Sequence, residues 1–224
     1  MENQEKTFDM SSDENSNYEG GVFYLKMVTK KDAQPFFTIK TKIGDSYTLL
    51  SQQPKSISGT LKSITTGSYT WEKKDIKTVK IVLEKDTKKG KQLAIISSSY
   101  TSTLRGIINC LLSFDEPINT IGINLYQNKL GYNSVMVFMC NGKRKEWKYA
   151  QSFLKTLVDV ETTKKFGDVY YYGRLDDFLE TELIKHLNTI LPDSPRIVDE
   201  TLEKNELSAN DLMKEEDYLF DVEN

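Results

Sequence analysis

Three short stretches place aromatic rings among cations. They are Tyr69-Thr70-Trp71-Glu72-Lys73-Lys74, Tyr126-Gln127-Asn128-Lys129-Leu130-Gly131-Tyr132 and Lys143-Arg144-Lys145-Glu146-Trp147-Lys148-Tyr149. Binding a single nucleic-acid strand without strong sequence preference needs both residue types. Cations follow the phosphates, and flat rings stack on unpaired bases for about 1–3 kcal/mol per base. With Lys62, Lys80 and Arg105 as further cations, the candidate DNA-binding set is Lys62, Tyr69, Trp71, Lys73, Lys74, Lys80, Arg105, Tyr126, Lys129, Tyr132, Lys143, Arg144, Lys145, Trp147 and Lys148. Each member also has a plainer reading. Rings pack in β-structure, Trp147 suits a barrel plug, and lysine pairs guard turns and edge strands. Arg105 is as well placed to cap a surface as to reach a phosphate. The combination carries the argument, not any single residue.

Catalytic chemistry finds no such set. The chain has no Walker loop, Gly-x-Gly-x-x-Gly, Gly-x-Ser-x-Gly or His-Glu-x-x-His pattern. Its one histidine, His186, argues against histidine-based catalysis and His-rich zinc sites. Cys110 and Cys140 lie in apolar stretches and read as core. Asp176-Asp177 could be imagined as a metal pair, but neighbours on a helix point about 100° apart, and Glu180 at i+4 makes a solvated face the better reading. The expectation is a protein that is not an enzyme and needs no cofactor or metal.

Charge distribution points the same way. The net charge of −3 conceals a partition: residues 1–19 carry −5, residues 20–192 carry +10 and residues 193–224 carry −8. A basic body between acidic termini suits a polyanionic partner. The last segment also holds Asp217-Tyr218-Leu219-Phe220-Asp221. A purely solubilising tail has no need of that apolar cluster. It suits docking to a partner protein, self-competition for the basic groove, or a short packed helix. The longest apolar run, Val135–Cys140, has six residues, so no transmembrane helix is expected.

Elements must position these residues. Residues 1–19 are polar and expected to be disordered. Strands are predicted over Val22–Val28, Phe36–Lys42 and Asp45–Leu50, then over Ile57–Trp71 with an interruption at Gly67, Ile76–Glu84, and Gln92–Ser99 with Leu93 and Ile95 inward. Leu104, Ile107, Ile108 and Leu111 mark a helical face, with candidate N-caps in Thr101–Thr103. Strand period returns at Ile121–Tyr126 and at Ser134–Cys140, which reads as a central strand. Lys143–Tyr149 reads as a strand or extended arm, and Gln151–Asp159 as helix or loop. Arg174–Leu191 reads as a helix stopped by Pro192. The fold class is therefore mainly β with helices. Residues 57–149 suggest a five-stranded oligonucleotide/oligosaccharide-binding (OB) barrel with a helix between strands three and four. Residues 20–192 form one domain with an N-terminal β extension and a C-terminal helix, followed by the 193–224 tail.

Ile57-Ser58-Gly59-Thr60-Leu61-Lys62-Ser63-Ile64, Lys80-Ile81-Val82-Leu83, Leu104–Leu112, Ile123–Lys129, Lys145-Glu146-Trp147 and Asp177-Phe178-Leu179 before an acidic terminus carry a resemblance. Over about residues 20–190 and the tail, the chain resembles the acidic-tailed, OB-type single-stranded DNA-binding proteins of tailed phages. Members commonly end on an aromatic, whereas four residues follow Phe220 here. The resemblance implies non-catalytic binding of single-stranded DNA in replication, recombination or repair. It also implies recruitment of replication or recombination proteins by the tail, and a bacterial cytoplasmic setting. The rivals are a phage interaction or structural protein that binds an acidic protein, and an RNA-binding barrel.

Overall fold

The computed structural model describes residues 21–29, 34–43, 46–50, 53–87, 90–129, 131–139, 142–163 and 167–192. Residues 1–19, the tail cluster Asp217–Asp221 and Cys140 lie outside them. The described chain is mainly β with three helices. In order it forms β1 (Val22–Val28), β2 (Phe36–Ile43), β3 (Ser46–Leu49), β4 (Ser56–Trp71), β5 (Lys74–Thr87) and β6 (Gly90–Ser99). Then come α1 (Ser102–Leu111), β7 (Thr120–Gln127), β8 (Asn133–Met139), β9 (Arg144–Lys145), α2 (Gln151–Lys155), β10 (Asp159–Thr163), β11 (Gly167–Tyr171) and α3 (Gly173–Ile190).

Nine strands make one sheet in the order β3-β2-β1-β6-β5-β4-β7-β8-β9. All neighbours are antiparallel except β1 and β6, which run parallel. Among the described residues no closed barrel is found. The edge of β6 that β5 leaves free is taken by β1. The β extension is thus continuous with the main sheet rather than a separate layer.

Strand β4 serves both halves. Ser56–Thr60 pair with β7, and Thr60–Trp71 pair with β5. The handover coincides with a register shift between Leu61 and Ser63, which leaves Lys62 as the extra residue of a bulge. Gly59 sits at the crossing, where a Cβ would lie 2.8 Å from the Glu84 carbonyl oxygen. Gly67 does not interrupt the strand, because its pairing to Thr78 continues the ladder.

Side-chain alternation places the core on one side of this sheet. Phe23, Leu25, Phe37, Ile39, Ile57, Leu61, Ile64, Val79, Ile81, Leu83, Ala94, Ile96, Ile121, Ile123, Leu125, Val135 and Val137 are all buried. Helix α1 packs on that side and is buried along most of its length. Thr101 caps it, its Oγ1 accepting the Leu104 N–H at 3.2 Å. Gly106 lets the helix approach β8: a Cβ there would lie 2.7 Å from Val135 Cγ1. Buried Asn109 donates to the Tyr149 carbonyl at 2.9 Å and accepts the Tyr149 N–H at 2.9 Å, pinning the segment after β9 to the helix. Helix α3 buries Leu175, Leu179, Leu183 and Ile190, as its apolar stripe predicts.

Further expectations change. Leu93 and Ile95 do not face the core: the register Leu83↔Ala94 and Ile81↔Ile96 puts Gln92, Ala94 and Ile96 inward. This strand is apolar on both faces, so alternation alone cannot set its phase. The strand over Ser134–Cys140 is not central but next to the edge, covered by a two-residue β9. Of the predicted segment Lys143–Tyr149 only Arg144 and Lys145 form strand, and the chain then bends at Lys148–Tyr149, where the Lys148 N–H donates to the Asn109 carbonyl. Helix α2 occupies the start of Gln151–Asp159, read as helix or loop, but the hairpin β10–β11 that follows stands where the sequence suggested no element. Its strands carry Asp159, Glu161, Thr162, Thr163 and Asp168, which mask the strand period.

Candidate nucleic-acid interface

The sheet side opposite the core is left half-exposed. The helices are anchored to the inner side, through Gly106 against Val135 and Lys77 against α3. Residues directly opposite across a ladder share a face. The outer face of the β4–β5 hairpin therefore holds the pairs Trp71↔Lys74, Tyr69↔Ile76, Gly67↔Thr78, Thr65↔Lys80 and Ser63↔Val82. Four candidates lie on this face together: Tyr69, Trp71, Lys74 and Lys80. Lys62 joins them from the bulge, where it meets Glu84 at 3.7 Å. Lys91 holds the same carboxylate at 3.2 Å. Its hydrogen bond, ahead of the costs of desolvation, keeps Glu84 below the usual carboxylate value. Lys73 lies in the turn between the strands.

A second group forms around β7 and β8. Tyr126 is on the outer side, opposite Ser134. Lys129 and Tyr132 occupy the connection to β8, where Asn128 Oδ1 accepts the Tyr132 N–H at 3.0 Å and Tyr132 is 68% exposed. Exposed Lys143 precedes β9. Arg144 pairs opposite Phe138 and so shares its outer face. Phe138 is a ring that sequence reasoning missed. It lies against Gly122, its cross-strand partner, where a Cβ would sit 2.0 Å from the ring. A strand glycine often marks close approach of another group, so Gly122 was the available signal.

Four candidates fall elsewhere. Arg105 donates from Nε to Asp176 Oδ1 at 2.7 Å and from an Nη to Oδ2 at 3.0 Å. Both side chains are only 16% exposed. The guanidinium also lies 4.3 Å from the centre of the Tyr172 ring. This geometry spends the arginine on joining α1 to α3. Asp176 is correspondingly no solvated residue: burial pushes its carboxyl up, against the pull of Arg105. Asp177 and Glu180 are held by Lys77. Lys145 pairs opposite Val137 on the core side; its Nζ reaches the Ser113 carbonyl at 3.3 Å and lies 4.4 Å from the Phe114 ring centre. Trp147, 39% exposed, stands beside α1, with Cζ2 3.8 Å from where a Gly106 Cβ would be. Lys148 lines a shallow cleft with Tyr149, Glu182 and His186.

Buried Cys110 has its thiol pushed up to about 11, chiefly by desolvation, which keeps it protonated and unreactive at neutral pH. Among the described residues no cluster of three or more His, Cys, Asp or Glu side chains could hold a metal, and no helix is long and apolar enough to cross a membrane. No protein-family model, curated protein or solved structure matches the chain.

Proposed function

We propose that the chain binds single-stranded DNA without sequence preference, on the outer face of its sheet, in replication, recombination or repair. The observation that carries this reading is the alignment of Tyr69, Trp71, Lys74 and Lys80 on one helix-free face of a body that carries +10. Rings and cations on one surface are what a single strand requires, whereas duplex needs shape that fits a groove. The strand order β6-β5-β4-β7-β8, with α1 between β6 and β7, supports an OB-type arrangement in which β1 stands where barrel closure would occur. The β4–β5 and β7–β8 connections then flank the binding face, as in OB folds generally. The acidic C-terminal segment supplies self-competition and recruits replication or recombination proteins.

The test is a titration with oligo-dT, poly-U and duplex, read by tryptophan fluorescence. Oligo-dT should bind in preference to duplex, with affinity falling steeply as salt rises. Quenching should be lost in Trp71→Phe and kept in Trp147→Phe, because only Trp71 lies on the outer sheet face. Equal affinity for duplex would sink the reading. Tighter binding of poly-U would assign the face to RNA instead.

A further inference from the structure

The face just described does not end at β6. We infer that β1, β2 and β3 form a second lysine–tyrosine subsite for the same nucleic-acid strand, centred on Tyr24, Lys40 and Lys42. This rests on the proposed single-strand binding and extends it to residues that composition alone did not single out.

Three observations carry it. First, cross-strand register makes one continuous lane. Lys40 is opposite Tyr24, Tyr24 is beside Ile95, Ile95 is opposite Val82, and Val82 is opposite Ser63 of β4. Three strand spacings separate β2 from β5, about 14 Å at the usual 4.8 Å, so one extended strand can cover both subsites. Second, the charge is one-sided. β1, β2 and β3 contain three lysines and no carboxylate. Alternation puts all three, Lys26, Lys40 and Lys42, on the outer face, since Leu25, Ile39 and Thr41 are buried inward. Third, the same face offers a ring. Tyr24 meets Tyr47 edge to face at 5.4 Å between centroids, and Tyr47 lies opposite Lys42. Burial and then Tyr47 raise the Tyr24 hydroxyl above its usual value, so it stays a neutral donor. Lysines on three strands that contain no carboxylate, interleaved with rings and in line with the β4–β5 cations, match the phosphodiester and base pattern of a single strand.

The experiment compares the full chain with Lys40→Glu/Lys42→Glu, and with the milder Lys40→Gln/Lys42→Gln in case the first folds poorly. Each is checked by thermal melting. Binding of short and long oligo-dT is followed across a salt series through Trp71 quenching. Loss of two phosphate contacts should flatten the slope of log K against log salt by about 1.4, at about 0.7 per contact on a single strand. The occluded length on poly-dT should shorten, while quenching by short oligonucleotides persists at the β4–β5 hairpin. If the wild-type chain binds poly-dT but the folded variants keep its slope and occluded length, the second subsite is overturned and the primary reading stands. If the wild-type chain binds no single strand, both fall together.

Discussion

Arg105 shows how a residue type can mislead when its partner is remote in sequence. A cation beside an apolar helix face suits phosphate contact. Here Asp176, 71 positions later, takes it in a two-pronged ion pair. Arg105→Ala should therefore affect stability more than DNA affinity. Breaking a largely buried pair costs on the order of 3 kcal/mol at pH 7. The pH dependence has a defined sign. Burial already raises Asp176, and removal of Arg105 takes away the main opposing influence. The folded variant then holds its proton more tightly than the unfolded chain does. That contribution is present at low pH and is lost as pH rises through the raised folded-state value. The stability gap between variant and wild type should narrow from pH 7 toward pH 4 in urea titrations. A gap independent of pH would contradict this account.

At the scale of elements, the β4–β5 hairpin combines the proposed binding surface with a strained turn. Glu72 and Lys73 take φ of 46° and 66°, the left-handed region. A two-residue connection between twisted strands demands positive φ at both positions, and Asn-Gly meets that demand at least cost. Glu72→Asn/Lys73→Gly should raise stability by about 1–2 kcal/mol, given the usual cost of left-handed residues. The urea midpoint measures it, and an unchanged midpoint would mean the turn is unstrained. The β4 crossing was not readable, since that Gly59 faces the Glu84 carbonyl oxygen required the partner strand. Helices α1 and α3 were readable from their apolar spacing alone. The β10–β11 hairpin was not, because exposed strands lack the one-sided apolar signal.

For the whole molecule, charge partition remains the strongest sequence-level argument. Removing residues 211–224 takes away a segment rich in carboxylates. If that segment competes for the basic face, the truncated chain should bind oligo-dT more tightly at low salt, with the difference shrinking as salt screens it. Unchanged or weaker binding would restrict the tail to contacts with other proteins. Part of the candidate interface's geometry was legible in advance. Tyr69, Trp71, Lys74 and Lys80 share a face because a regular hairpin obliges positions two apart to do so. Arg105, Lys145, Trp147 and Lys148 are drawn to the helix side by partners that no local pattern announces.

By itself, the sequence determined the mainly β class, the strand and helix segments with strong one-sided periodicity, and the basic body between acidic ends. These are local properties, written in spacing and composition. Only the tertiary structure decided that β1 joins β6 in parallel, that among the described residues the sheet runs to nine strands without closing, and that Leu93 and Ile95 turn outward. The reason is physical. A strand apolar on both sides satisfies either phase locally, and its face is chosen by the register of its neighbour. A parallel pairing between segments some 70 residues apart leaves no periodic trace in either one.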